Sequence, residues 1–307
     1  MSEERKGLLA GLGAWVLWGL FPLYWRSMKP ASPLELLAHR VLWSVVFVAV
    51  LLLVLRRWRQ VWKVLGDRRT AWILVAASLA IGANWGLFIY GVNADRTIEV
   101  SLGYYINPLV SVLIGVLFFA ERLRPLQWAA IGIASLAVVV ITVEVGSFPL
   151  LGLALACSFG LYGGLKKLSP TPPLVGLMVE ALVLLPPALG MLGYLVVRGE
   201  SNFGRHGFTH VLLIVLMGVV TAVPLVLFAM SAQSIPLSTL GLMQYITPSM
   251  QLILGVAVFH EPMATAQWIG FAIVWTALAI FSYDALRHAR RERRTRSHEI
   301  AASDAAR

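Results

Sequence analysis

Ten apolar stretches of about twenty residues follow one another along the chain, with little between them. They lie at about 8–25, 34–55, 71–92, 98–119, 126–144, 149–166, 174–197, 209–232, 237–258 and 264–283. A helix rises about 1.5 Å per residue, so about 20 apolar residues cross a hydrocarbon core roughly 30 Å thick. Most connections are short and carry Pro, Gly or charge, as at Lys29-Pro30, Gly66-Asp67, Arg124-Pro125, Ser169-Pro170 and Glu261-Pro262. The long polar stretches are 56–70, 198–208 and the tail after 284. The pattern predicts an all-α membrane protein with ten transmembrane helices. Composition points the same way: 13% of residues are charged and 59% hydrophobic, against about 25% charged in a soluble domain. So little charge cannot cover a water-facing surface, and lipid must be the solvent for most of the chain.

The net charge of +10 raises nucleic acid as a partner, but its placement argues against that. Much of the excess sits beside apolar segments, at Arg56, Arg57, Arg59, Lys63, Arg68 and Arg69, and again from Arg287 to Arg296. These are the flanks where membrane proteins keep cytoplasmic Lys and Arg. The single cysteine, Cys157, excludes internal disulfides and a Cys-based metal cluster. The apolar run after Met1–Lys6 continues to Trp25 without an Ala-x-Ala-like site, which reads as a retained first span.

Of the 25 Lys and Arg residues, nineteen fall on the side of the N-terminus, Lys166 and Lys167 among them, five on the other side, and Arg40 inside span two. This asymmetry predicts both termini in the cytoplasm of a bacterial inner membrane.

At an offset of 140 the chain matches itself. Leu102, Tyr105, Ile106, Pro108, Gly115, Val116, Phe119, Glu121, Gln127 and Trp128 recur as Leu242, Tyr245, Ile246, Pro248, Gly255, Val256, Phe259, Glu261, Gln267 and Trp268. Ten identities in 31 positions exceed the roughly three expected from so biased a composition. An odd number of spans per half turns equivalent helices in opposite directions, so the expected architecture is two five-helix inverted repeats. Such repeats commonly serve alternating access.

The doubled Tyr-Ile-x-Pro…Glu…Gln-Trp module resembles the EamA domain of the drug/metabolite transporter superfamily. Other segments resemble its RarD branch: Trp15-x-x-Trp18-Gly19 with Pro22, Glu35-x-x-x-His39-Arg40, Asn84-Trp85 followed by Asn93, and Gly103-Tyr104-Tyr105-Ile106-Asn107-Pro108. The likeness runs from about residue 5 to 285, giving one repeat at 5–145, a second at 149–285, and a basic cytoplasmic tail at 286–307. It implies a ten-helix exporter or facilitator with a central cavity between the first four helices of each half. The fifth and tenth helices would serve packing or a homodimer. The branch is named for chloramphenicol sensitivity, a phenotype rather than a substrate. Asn107, Tyr104 and Asn84 are replaced in the second half by Thr247, Gln244 and Pro224, so the cavity should be asymmetric.

Ionisable groups within spans are functional candidates by default. Glu35 and His39 share a helical face at the start of span two, where they either line a site or snorkel to water. Arg40 lies about 10 Å below the loop by helical rise and suits a carboxylate or phosphate on a substrate, or a partner such as Glu99. Tyr104, Tyr105 and Asn107 follow Glu99 in span four. Pro108 would free the carbonyl of Tyr104, and Pro248 that of Gln244, making both prolines hinge or cavity-wall candidates. Asn84, Gln244 and Gln251 serve either as interhelical glue or as substrate contacts. Trp15, Trp18, Trp85 and Tyr90 are either aromatic walls for an amphipathic ligand or lipid-interface anchors, and Tyr245 is a further substrate-binding or gating candidate. Glu180 is the most isolated carboxylate and the proton-coupling candidate, whereas Glu121 and Glu261 suit capping or loop pairing.

Neither a phosphate-binding loop, nor metal-spaced histidines, nor a nucleophile with a neighbouring base occurs. The expectation is a cofactor-free, metal-free secondary transporter of a small amphipathic metabolite or drug. The alternatives are an integral-membrane enzyme or lipid-modifying protein, and, third, a channel.

Overall fold

The computed structural model describes residues 2–94, 96–145, 150–258 and 260, with scattered helical positions between 268 and 287. The described elements are all helical. In chain order they are α1 (Glu3–Gly19), α2 (Phe21–Arg26), α3 (Pro33–Val54), α4 (Trp58–Gly66), α5 (Arg68–Asn93), α6 (Thr97–Phe119), α7 (Pro125–Val145), α8 (Leu150–Leu168), α9 (Pro173–Val197), α10 (Gly207–Ser234), α11 (Leu237–Met243) and α12 (Ile246–Ile253), followed by a π-helical turn at Leu254–Val258. Among the described residues, six segments are long and apolar enough to cross a membrane: Glu3–Trp25, Pro33–Val54, Arg68–Gly91, Pro173–Val197, Gly207–Ser234 and Leu237–Val258. Gly103–Phe119 and Pro125–Val140 are shorter apolar helices. The expected span at 264–283 lies mostly outside the described residues.

Helix starts follow local chemistry. Ser32 caps α3, its hydroxyl accepting the Glu35 amide at 3.2 Å, with Pro33 in the first turn. Asp67 caps α5, accepting from the Arg69 amide at 3.2 Å and the Thr70 hydroxyl at 2.5 Å. Both satisfy donors that a helix start leaves open. The polar stretch 56–70 contains the nine-residue helix α4, which turns Val61 into the core.

Two compact units arise by contact, Met1–Glu121 with Phe148–Pro262, and Arg122–Ser147 with Met263–Arg307. The second unit holds the expected fifth and tenth spans, and within it Arg124 pairs with Asp284 at 2.6 Å. In the first unit, α3 packs on α9 and α10, α5 on α8 and α9, α6 on α8 and α11, and α1 on α10 and α12. The α3–α10 crossing is so close that a Cβ on Gly218 would collide with the backbone carbonyl of Trp43. Small residues at such crossings let helix backbones approach where lipid supplies little hydrophobic drive.

The ninth expected span is not one helix kinked at Pro248. It breaks at Gln244–Tyr245, between α11 and α12. Pro248 then sits in the first turn of α12, where a missing N–H costs nothing. The Gln244 carbonyl, expected to be freed, accepts the Thr247 amide at 3.0 Å. Pro108, by contrast, lies inside the continuous helix α6.

Candidate functional site

Arg40 projects from the second turn of α3 and is 9% exposed. Its guanidinium lies over the Trp85 ring of α5, 4.1 Å from the centroid, with the Phe21 ring at 5.8 Å. The Tyr104 and Tyr162 hydroxyls lie within its electrostatic reach. Among the described residues no carboxylate pairs with it, and its Nε has no hydrogen-bond partner. Glu99, the expected partner, is in the first turn of α6, and its side chain falls outside the described residues.

Trp85 also lines a cavity of about 20 Å³ enclosed by α3, α5, α8, α9 and α10. That volume holds a single water. Ser44, Tyr162, Glu180 and Thr221 are among its lining residues, but the surface facing the cavity is apolar, and the Ser44 hydroxyl has no partner. Beside it, Trp15 and Trp18 pack at 5.0 Å, Trp15 and Phe228 at 5.6 Å, and Phe159 and Phe228 at 5.4 Å. Tyr162 stacks on Phe228 at 5.6 Å with 13° between the rings. Trp15 is a buried member of this cluster and Trp18 packs against it, so neither is a lipid-interface anchor. Tyr90, at 56% exposed, faces away from the core.

Glu180 is not isolated. Its Oε1 accepts from Lys166 Nζ at 2.6 Å, and its other oxygen from the Tyr162 hydroxyl at 3.3 Å. Lys166, counted above among the cytoplasmic flank charges, is 1% exposed and buried with Glu180. Tyr162 and Lys166 are four residues apart on α8, the spacing that puts both on one face.

Glu35 and His39 do not snorkel. Glu35 is fully buried and accepts from the Ser201 hydroxyl (2.9 Å), the Asn202 amide (2.6 Å), the Asn202 side chain (3.1 Å) and the Phe203 amide (3.0 Å). Those donors replace water and clamp the 201–203 loop over the start of α3. His39 lies against the Phe203 ring at 4.7 Å, with both ring nitrogens buried and unpartnered.

The remaining candidates divide between joints and open groups. Asn84 is glue: its Nδ2 donates to the Leu155 carbonyl (2.9 Å) and to the Ser158 hydroxyl (3.1 Å), tying α5 to α8. Gln251 donates to the Trp18 carbonyl at 3.3 Å, and Thr247 to the Trp15 carbonyl at 2.8 Å. Pro22 has no N–H to offer Trp18 four residues back, so α12 supplies the donor instead. The Tyr245 hydroxyl donates to the Tyr105 carbonyl at 3.1 Å. Tyr104 is half-buried near Phe88, at 6.5 Å. Asn107 and Gln244 are buried with their side-chain oxygens unpartnered. Glu121 caps α11, accepting the Leu237 amide at 2.6 Å and the Ser238 amide at 2.9 Å, with Lys167 at 3.4 Å. Glu261 lies outside the described residues.

Sequence reasoning missed Tyr162, Lys166, Ser44, Phe159, Phe228 and the Ser201–Phe203 loop. The readable signal was a lysine one turn after a tyrosine in an apolar helix, facing a lone carboxylate one span later.

Comparison with known proteins decides the kinship. The EamA-like transporter family matches residues 5–143 and again 147–283, nearly the whole chain. The chain belongs to the EamA-like transporter family. Protein RarD of Streptomyces exfoliatus is 48% identical over 292 residues, spanning 95% of this chain and 93% of its own length. An uncharacterized transporter of Vibrio cholerae is 42% identical, spanning 96% of this chain and 98% of its own. A crystal structure 20% identical in sequence superposes with a TM-score of 0.69 over 92% of this chain and 98% of its own, which shows a shared fold. With its EamA kinship and several apolar helices long enough to span, the chain is a multi-pass membrane protein of bacterial type, and transport is the general role of its family.

Proposed function

We propose that the protein is a secondary transporter, an exporter or facilitator of a small amphipathic metabolite or drug, working by alternating access in the bacterial inner membrane with both termini cytoplasmic. The reading takes the ten spans as two inverted five-helix repeats. The offset-140 identities support it, as does the meeting of the equivalent residues Tyr105 and Tyr245.

One observation carries the proposal: a buried guanidinium lying over the Trp85 ring, unpaired among the described residues, with Trp85 also lining a small cavity between five helices. A structural arginine in lipid is normally paired. One kept open at a helix junction suits a group that arrives and leaves. In this conformation the cavity has room for one water, so cargo enters only when the helices around it part. Glu180, held by Lys166, is the group whose release from its partner would couple a proton to that motion. Tyr104, Asn107 and Gln244 supply further contacts, and Pro108 a flexible point.

The test is counterflow in liposomes with the purified protein, using labelled amphipathic metabolites with and without a pH gradient. Saturable exchange supports the carrier. Leak that never saturates, or no flux of any candidate by folded protein, rejects it.

A further inference from the structure

The charges around the cavity select the substrate's head group. Lys166 and Glu180 cancel at 2.6 Å. Glu35 is spoken for by four donors of the 201–203 neighbourhood. His39 meets the Phe203 ring and has Glu35, one turn earlier on α3, as its acidic neighbour. Among the described residues, what remains is one positive charge on Arg40, lying over the Trp85 ring and without a hydrogen-bonding acceptor for its Nε.

Resting on the transporter reading, we infer that this site takes a monocarboxylate: one carboxylate against the Arg40 fork, with an apolar body lodged among the aromatic rings of Trp85, Trp15, Trp18 and Phe228. A guanidinium matches a carboxylate in a planar, two-point fashion. A phosphate monoester carries close to two charges and would need a second free cation, which the Lys166–Glu180 pair does not offer. An ammonium would meet Arg40 with like charge, and the one carboxylate on the cavity wall is already taken. The rings beside the site offer flat apolar surface rather than hydrogen bonds, which suits the substrate's tail.

The same head-group chemistry could come from a soluble acid or from an anionic lipid, and the experiment separates them. Binding of 4-phenylbutyrate, its amide and its amine to full-length protein in neutral detergent is measured by calorimetry, for wild type, Arg40→Gln and Arg40→Lys. The acid should bind wild type at least tenfold more tightly than the amide. Arg40→Gln should weaken the acid by about 10- to 100-fold, the worth of a charged hydrogen-bonded contact, and leave the amide unchanged. Arg40→Lys, which keeps the charge, retains the acid preference and covers the case in which the glutamine variant does not fold. Equal binding of acid and amide, or acid binding that survives Arg40→Gln, overturns the inference. So does phosphatidylglycerol in the micelle that blocks the acid and is not displaced by it, which would make this a lipid-headgroup site. Counterflow with the three compounds is read separately: Arg40-dependent acid binding without exchange leaves the site standing and removes the transporter reading. Exchange that ignores the carboxylate does the reverse.

Discussion

The hydroxyl of Tyr245 donates to the backbone carbonyl of Tyr105 at 3.1 Å, joining two positions 140 residues apart. These are the equivalent tyrosines of the two Tyr-Ile-x-Pro modules, one on α6 and the other between α11 and α12. Pro108, three residues further along α6, removes a donor from the carbonyl of Tyr104, so the carbonyl that Tyr245 reaches is the neighbouring one. Tyr245→Phe removes this buried hydrogen bond and should cost about 1 kcal/mol, read as a lower unfolding midpoint in detergent. Tyr105→Phe leaves this bond in place, because the contact uses its main chain, and should not reproduce the Tyr245→Phe loss of that bond.

The Lys166–Glu180 pair is closed to solvent, with the Tyr162 hydroxyl on its second oxygen. Removing one partner strands a buried charge, so Lys166→Met should destabilise by about 3–5 kcal/mol. Adding Glu180→Gln should recover a large part of that loss. A double-mutant cycle on unfolding midpoints measures the coupling, and simple additivity of the two losses would reject it.

Glu121 receives two amides at the start of α11. Glu121→Ala should cost about 1 kcal/mol, the usual worth of a helix cap, and speed hydrogen exchange at Leu237 and Ser238 above all. Exchange that is unchanged at those two amides would show that the cap is not needed.

Two glycines on apolar helices should respond in opposite ways. Gly218→Ala drives a methyl into the Trp43 backbone and should cost about 1–3 kcal/mol, since main chain cannot step aside. Gly190→Ala on α9 meets open space and should be neutral or stabilise by up to about 1 kcal/mol, through helix propensity. Thermal unfolding of the two variants side by side tests the contrast.

Helix content and the existence of most long apolar segments were legible because lipid imposes a length and a polarity that twenty consecutive residues display. Family and repeat were legible from Tyr105-Ile106-x-Pro108 and its second copy. Pairing was not. Lys166 read as a flank charge because position along the chain does not reveal that α8 ends beneath α9, within reach of Glu180. Glu35 read as a group near water because the loop that covers it comes 166 to 168 residues later. The break at Gln244 was hidden because Pro248 signals a disturbance without saying whether a helix bends there or starts afresh. Arg40 was the opposite case: an arginine that deep in an apolar run is conspicuous from sequence alone.

The hydrogen bonds from Thr247 and Gln251 to the carbonyls of Trp15 and Trp18 fasten α1, in the first family match, to α12, in the second. Helix α1 is thus tied directly to α12, whereas α10 stands between it and α3. The two stretches that match the family are therefore interlocked at this point rather than packed as separate bundles.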